Sequence, residues 1–244
     1  MELSIEFILI FVLGIFQSVF GVGLLLFGTP LLLFMGYSFE STLVVLLPVS
    51  ITISFLQLIY KKGSIKSLVS EYNFFCLPFL VLFLVIAINI ENLMDIKIYV
   101  SIFLIISSIV ILNKNRIISI NKHLLKYRKL FLVLIGSIHG STNMGGGFLS
   151  LFSTLVNRED RVLTRNYISY GYFSMGVIQY ITVLYFGLNN IDFTKLYYVF
   201  LPLIIFFPSQ KIFNKIDNQL FIKIINYLAL AFGVVALIIS LRWN

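Results

Sequence analysis

Apolar residues run in long stretches at about 4–35, 41–60, 72–90, 96–112, 130–156, 164–187, 194–208 and 220–241, separated by short polar connections. Helices of about 17–25 apolar residues cross a bilayer, and the period-two alternation of a membrane β-barrel is missing. The pattern predicts an all-α integral membrane protein. The first stretch is too long for one spanning helix and too short for two. Gly21 cuts it into arms of about 15 residues, roughly 22 Å each against about 30 Å of hydrocarbon. A re-entrant hairpin that turns inside the membrane is the expected geometry.

The break recurs 122 residues later. Gly14-Ile-Phe-Gln-Ser-Val-Phe-Gly21-Val-Gly23 is matched by Gly136-Ser-Ile-His-Gly-Ser-Thr-Asn143-Met-Gly145-Gly146-Gly147. Gln57 and Gln179 share that spacing, and Leu77-Pro78 and Leu201-Pro202 lie 124 residues apart. Irregular backbone survives in lipid only where protein or a water-filled cavity covers it. Two matched interruptions therefore point to a site within the membrane.

Loop charges give the second break a direction. If every stretch crosses completely, seven of the 18 Lys and Arg residues fall outside. If 130–156 enters and leaves on one side, only Lys97, Lys195 and Arg242 remain outside, which is the stronger positive-inside bias. The second break is thus expected to be a re-entrant hairpin, and the repeat extends that reading to the first. Each half then holds one hairpin and three crossing helices, and an odd number of crossings makes the halves inverted repeats. The expected organisation is a first repeat at 1–113, a basic cytoplasmic linker at 114–129 that contains His123, and a second repeat at 130–244, with both termini outside.

Composition sharpens the class. The 244 residues are 59% hydrophobic and 11% charged, and the mean hydropathy is +1.01. Soluble domains carry about 25% charged residues. The net charge of +8 comes from short loops and forms no continuous stripe, so nucleic acid is not an expected partner. Cys76 is the single cysteine, which excludes an intrachain disulfide and leaves a small core residue. No basic n-region or small-residue cleavage site marks a removable signal peptide.

The pattern Gly-x3-Gly/Ser-x2-Gly-x-Gly in each half, Pro30 in Gly28-Thr-Pro-Leu-Leu, and the short link between similar halves resemble the sulfite exporter TauE/SafE family, the TSUP anion transporters. The resemblance spans essentially the whole chain. The second copy places Gly136, Gly140, Gly145, Gly146 and Gly147 at the family's glycine positions and Asn143 where glycine is usual. In the first copy Ser18 stands at one such position, Leu24 and Leu25 replace two glycines, and Phe152 in the second copy stands where Pro30 stands in the first. The resemblance implies a bacterial plasma-membrane carrier of small organic or sulfur-containing anions, such as sulfite and sulfonates, driven by the proton gradient.

A glycine-rich turn exposes backbone N–H groups, and a helix starting after it aims its positive dipole end at the turn. No Lys or Arg lies at the predicted centre of a span, so the anion site is expected to use no fixed cation. Candidate substrate contacts are Gln17, Ser18, Gly21 and Gly23 in the first break and Ser141, Thr142, Asn143, Gly145, Gly146 and Gly147 in the second. Gln57 and Gln179 join them from neighbouring spans. The competing role for the small and amide residues is helix packing. His139 is the only histidine in a span and the candidate for proton coupling, against a neutral ring satisfied by a neighbouring carbonyl. Asn166, Tyr170, Tyr172 and Ser174 give their span a polar face, and Tyr167 is an expected interfacial anchor.

The expected function is a secondary transporter working by alternating access. A membrane-embedded enzyme is the alternative, for which His139 would act as a base toward Ser141. No acidic residue lies at the centre of a span to orient that histidine, and no metal-type cluster of histidines or carboxylates is present. An accessory subunit or a pore is a further alternative, though no ring of charge or filter repeat is present. The small anion and the bilayer are the expected partners, with no cofactor and no metal.

Overall fold

The computed structural model describes residues 5–60, 66–90, 126–157, 160–187 and 193–221, together with 223, 224 and 227. The expected span 96–112, most of 220–241 and most of the linker, including His123, lie outside the described residues. Every described element is a helix. In chain order these are α1 (Ile5–Phe20), α2 (Leu24–Phe34), α3 (Phe39–Tyr60), α4 (Lys66–Phe75), α5 (Leu77–Ile90), α6 (Arg128–Thr142), α7 (Gly146–Val156) and α8 (Arg161–Phe186). A 3-10 helix (Phe193–Phe200) then leads into α9 (Leu201–Lys215). Among the described residues, three runs are long and apolar enough to cross a membrane: Phe39–Tyr60, Val69–Asn89 and Thr194–Lys215.

Local chemistry sets the boundaries. Pro78 and Pro202 each occupy the second position of a helix, where a missing N–H costs nothing and φ is already helical. Asp160 caps α8 by accepting from the backbone N–H groups of Val162 and Leu163, at 2.8 and 2.9 Å. The two breaks end α1 and α6 at equivalent residues, Phe20 and Thr142, and start α2 and α7 at Leu24 and Gly146.

The 122-residue offset extends to individual hydrogen bonds. Gly21 N–H donates to Gln17 O and Asn143 N–H to His139 O, both at 2.8 Å. Phe27 N–H to Gly23 O and Leu149 N–H to Gly145 O are both 2.9 Å. Helix α3 and its repeat partner α8 pack along one another at the centre. On either side the first helix of one half packs against the last described helix of the other, α1 on α9 and α6 on α5.

Both broken segments double back. The Tyr37 hydroxyl, in the connection after α2, donates to Glu6 at the start of α1 at 2.6 Å. Lys195 of the second half donates to the same Glu6 oxygen at 2.7 Å and also touches the Tyr37 hydroxyl. Burial raises the Tyr37 phenol above its ordinary value, and the hydrogen bond to Glu6 acts in the same direction, so the phenol stays protonated as a donor. In the second half Phe131 near the start of α6 stacks on Phe152 of α7 at 5.6 Å.

The outer surface is apolar at helical spacing, with Ile5, Ile8 and Val12 on α1, Leu82 and Ile86 on α5, and Leu130 and Leu134 on α6 exposed. The buried polar residues lie inside. That distribution suits a lipid-facing exterior and a protein-covered polar centre.

Candidate functional site

The breaks meet one another. A Cβ built on Gly146 would lie 3.2 Å from a Val22 methyl, and the Asn143 amide donates to the Thr29 hydroxyl of α2 at 2.9 Å. The starts of α2 and α7 therefore face a common interior region. The first turn of each helix leaves its N–H groups without partners inside the helix. Two positive dipole ends converge there.

Backbone conformation explains the residue choice at each break. Gly21 has φ 80° and Gly23 has φ 146°, both in the region that side chains rarely enter. Asn143, equivalent to Gly21, has φ 58° and is the one non-glycine residue with positive φ among the described residues. Asparagine tolerates this left-handed position better than other side chains, so it replaces the usual glycine without changing the turn.

His139 is fully buried and accepts the Gly145 N–H at Nδ1, 3.1 Å away. That acceptance assigns its proton to Nε2, and Nε2 is buried with no hydrogen-bond partner. The Tyr172 ring meets the His139 ring edge-on at 5.8 Å, and its hydroxyl, also unpartnered, lies against Gly146. Asn143 Oδ1 and Gln179 Oε1 are further buried atoms without a partner, on residues of the second break and of the helix that contacts it.

The remaining candidates separate into two groups. Gln17 is fastened to α3, donating to the hydroxyls of Ser50 and Ser54 at 2.8 and 3.1 Å. The Ser141 and Thr142 hydroxyls donate back to carbonyls of their own helix, Ser137 O at 2.9 Å and Ile138 O at 2.7 Å. These three side chains spend their donors on partners within the protein. Gly145 and Gly147 are buried at the turn, and Ser18 keeps a buried, unpartnered hydroxyl.

Gln57 and Gln179 have equivalent but unequal positions. Gln57 donates to Gln17 O at 2.7 Å and to Ser18 O at 3.0 Å, and accepts from Ser169 Oγ at 2.7 Å. Gln179 makes the repeat-related bond to His139 O, at 3.3 Å. Gln57→Leu is expected to destabilise the protein by about 2 kcal/mol, and Gln179→Leu by under about 1 kcal/mol. Thermal unfolding of the two variants in detergent measures this, and equal losses would refute the ranking.

Arg165 was not among the residues singled out from the sequence. Its position at the edge of a predicted span read as a cytoplasmic charge, yet it is 0% exposed and lies against the first break. A Cβ on Gly21 would meet Arg165 Cγ at 3.2 Å. A buried cation thus stands beside the first break, at the start of α8. Tyr167 is likewise no interfacial anchor: it is fully buried, edge-on to the Tyr72 ring at 6.0 Å. The signal available in sequence was spacing, because Arg165, Ser169, Tyr172, Gly176 and Gln179 lie on one face of a helix.

A family model described as sulfite exporter TauE/SafE matches residues 6–237. No curated protein and no solved structure matches the chain.

Proposed function

Since this chain belongs to the sulfite exporter TauE/SafE family, and so is a membrane transporter, we propose that it is a proton-coupled secondary carrier of small sulfur-containing or organic anions. The observation that carries the reading is the meeting of two broken segments at Val22 and Gly146. Converging helix N-termini attract an anion without binding it irreversibly, since each supplies roughly half a charge.

The breaks are read as re-entrant hairpins in inverted repeats at 1–113 and 130–244, joined by a cytoplasmic linker at 114–129, in a bacterial plasma membrane. The doubling back of each segment and the matched hydrogen bonds support this arrangement. Such repeats rock about a midplane site to expose it alternately to the two sides. The contact of Glu6 and Tyr37 with Lys195 ties the first half to the second at one end of the molecule. Opening at that end requires the contact to part.

The proton step is assigned to His139. Nδ1 accepts the Gly145 N–H, so a second proton arriving on the ring displaces that bond and loosens the turn that starts α7. His139→Asn keeps an acceptor near Nδ1 but cannot titrate. In proteoliposomes it is expected to retain anion counterflow and lose uptake driven by a pH gradient, whereas His139→Ala loses part of both. Wild-type dependence on the pH gradient in His139→Asn would remove the residue from coupling. Saturable counterflow of sulfite or a sulfonate tests the carrier reading itself, and unsaturable conductance would replace it with a pore.

A further inference from the structure

We propose that Arg165 carries the charge recognition of this transporter, holding a small oxyanion of the sulfite, sulfonate or carboxylate class on the unpaired edge of its guanidinium beside the first break. The inference rests on the carrier reading above. It moves the decisive contact away from the glycine-rich second break.

The hydrogen bonds of Arg165 are divided in a specific way. Nη1 donates to Gln210 Oε1 at 2.9 Å and approaches Ser18 O at 3.5 Å. Nε and Nη2 are both buried and both without a partner. Those two nitrogens form one side of the planar fork, with parallel N–H groups that match two oxygens of one oxyanion. Phe213 covers a face of the guanidinium, its ring centre 3.6 Å from Cζ, so the stacking uses the face and none of the N–H groups of the edge.

No charge near Arg165 cancels its own among the described residues. The ion pairs join Arg128 to Glu71 and Lys195 to Glu6, both elsewhere in the molecule. Asp160, in the preceding helical turn, has its carboxylate turned to the N–H groups of Val162 and Leu163. Arg161 adds a second cation over the same Phe213 ring, at 5.1 Å. A buried cation without a counter-charge is costly, and a bound anion removes that cost.

A structural role accounts for only part of the geometry. Ser18 O, near the negative end of the α1 dipole, accepts from Gln57 at 3.0 Å and faces Gln210 Nε2 at 3.4 Å as well as Arg165. Capping that carbonyl uses Nη1 alone and leaves the Nε/Nη2 edge unspent. The buried Ser18 hydroxyl is a further unpaired group in the same break. Arg165 has no counterpart in the first half, where its repeat position is Leu43. Tyr172 lies two turns further along the same face of α8, about 10 Å away, and its unpaired hydroxyl lies against Gly146 of the second break. One face of α8 thus spans both breaks, with a single cation at one end.

Two variants test the proposal in the full-length protein, with sulfite, methanesulfonate and acetate as probes. Arg165→Gln removes the cation. Gln210→Glu keeps Arg165 but places a carboxylate where its neutral amide partner stands. Each is expected to raise the counterflow KM by about tenfold or more and to abolish the anion-induced rise in melting temperature. A cap on α1 alone predicts the opposite for Gln210→Glu, since an ion pair would hold Arg165 more firmly and leave anion binding intact. Wild-type KM and thermal shift in either folded variant would overturn the proposal, and if Arg165→Gln does not fold, Gln210→Glu decides. If the wild type transports none of the probes but is stabilised by one, and both variants lose that stabilisation, the carrier reading fails while the site stands. If no probe stabilises or is carried by the wild type, the site fails.

Discussion

Gly136→Ala is expected to cost about 3 kcal/mol or more, enough to deplete folded protein in the membrane. A Cβ at Gly136 would sit 2.1 Å from the carbonyl oxygen of Cys76 and 3.0 Å from its carbon. One turn along, a Cβ at Gly140 would sit 2.3 Å from Leu80 O. Both obstacles are α4–α5 backbone, which cannot rotate away, so α6 must move off α5 as a body. Glycines four residues apart let helix backbones approach this closely and gain packing where no hydrophobic force operates between helices. Gly14, the repeat partner of Gly136, makes the control: its nearest obstacle is the flexible end of Ile205, at 2.7 Å, and Gly14→Ala is expected to cost about 1 kcal/mol. Size-exclusion yield and thermal unfolding in detergent compare the two, and a Gly136→Ala protein as stable as wild type would refute the close packing.

Gly146→Ala carries the second large effect, on transport. The new methyl would lie 1.6 Å from the Tyr172 hydroxyl and 2.6 Å from its ring carbon, with Val22 at 3.2 Å on another side. Tyr172 is fully buried and edge-on to His139, so its ring has little room to move. The start of α7 must shift instead, separating the two breaks. Overpacking strain of about 1–3 kcal/mol, borne mainly by the occupied state, corresponds to a loss of roughly tenfold or more in flux. Counterflow per folded molecule is the measurement. Unchanged flux would mean that the junction of the breaks is not on the anion path.

Several features are legible in the chain itself. The eight apolar stretches announce a helical membrane protein because hydrocarbon admits few other backbones. The 122-residue repeat is visible because a turn that needs a left-handed residue favours glycine and asparagine, which marks Gly21 and Asn143 as equivalent. Leu77-Pro78 and Leu201-Pro202 mark helix starts for an equally local reason. The resemblance to the family followed from the same residues, and the match over 6–237 bears it out.

Other features were not legible, because they depend on where a side chain spends its hydrogen bonds. Ser141 and Thr142 look like ligand donors beside a glycine turn, but both hydroxyls return to α6 carbonyls. Gln17 looks equally available and is fastened to α3. Arg165 looks like a loop charge because hydropathy averages over a window, and an arginine one turn inside a helix falls at its margin. Its Gln210 partner lies 45 residues away, and the Ser18 carbonyl 147.

By itself the sequence determined the membrane class, the all-helical character and the positions of the two breaks, since hydropathy and backbone conformation are properties of neighbouring residues. Only the tertiary structure decided which polar groups remain unpaired where the breaks meet. That outcome requires α1, α8 and α9 to come together, because a donor is open or spent according to its contacts in space. The guanidinium edge of Arg165 is left over by that packing, and no shorter piece of the chain contains it.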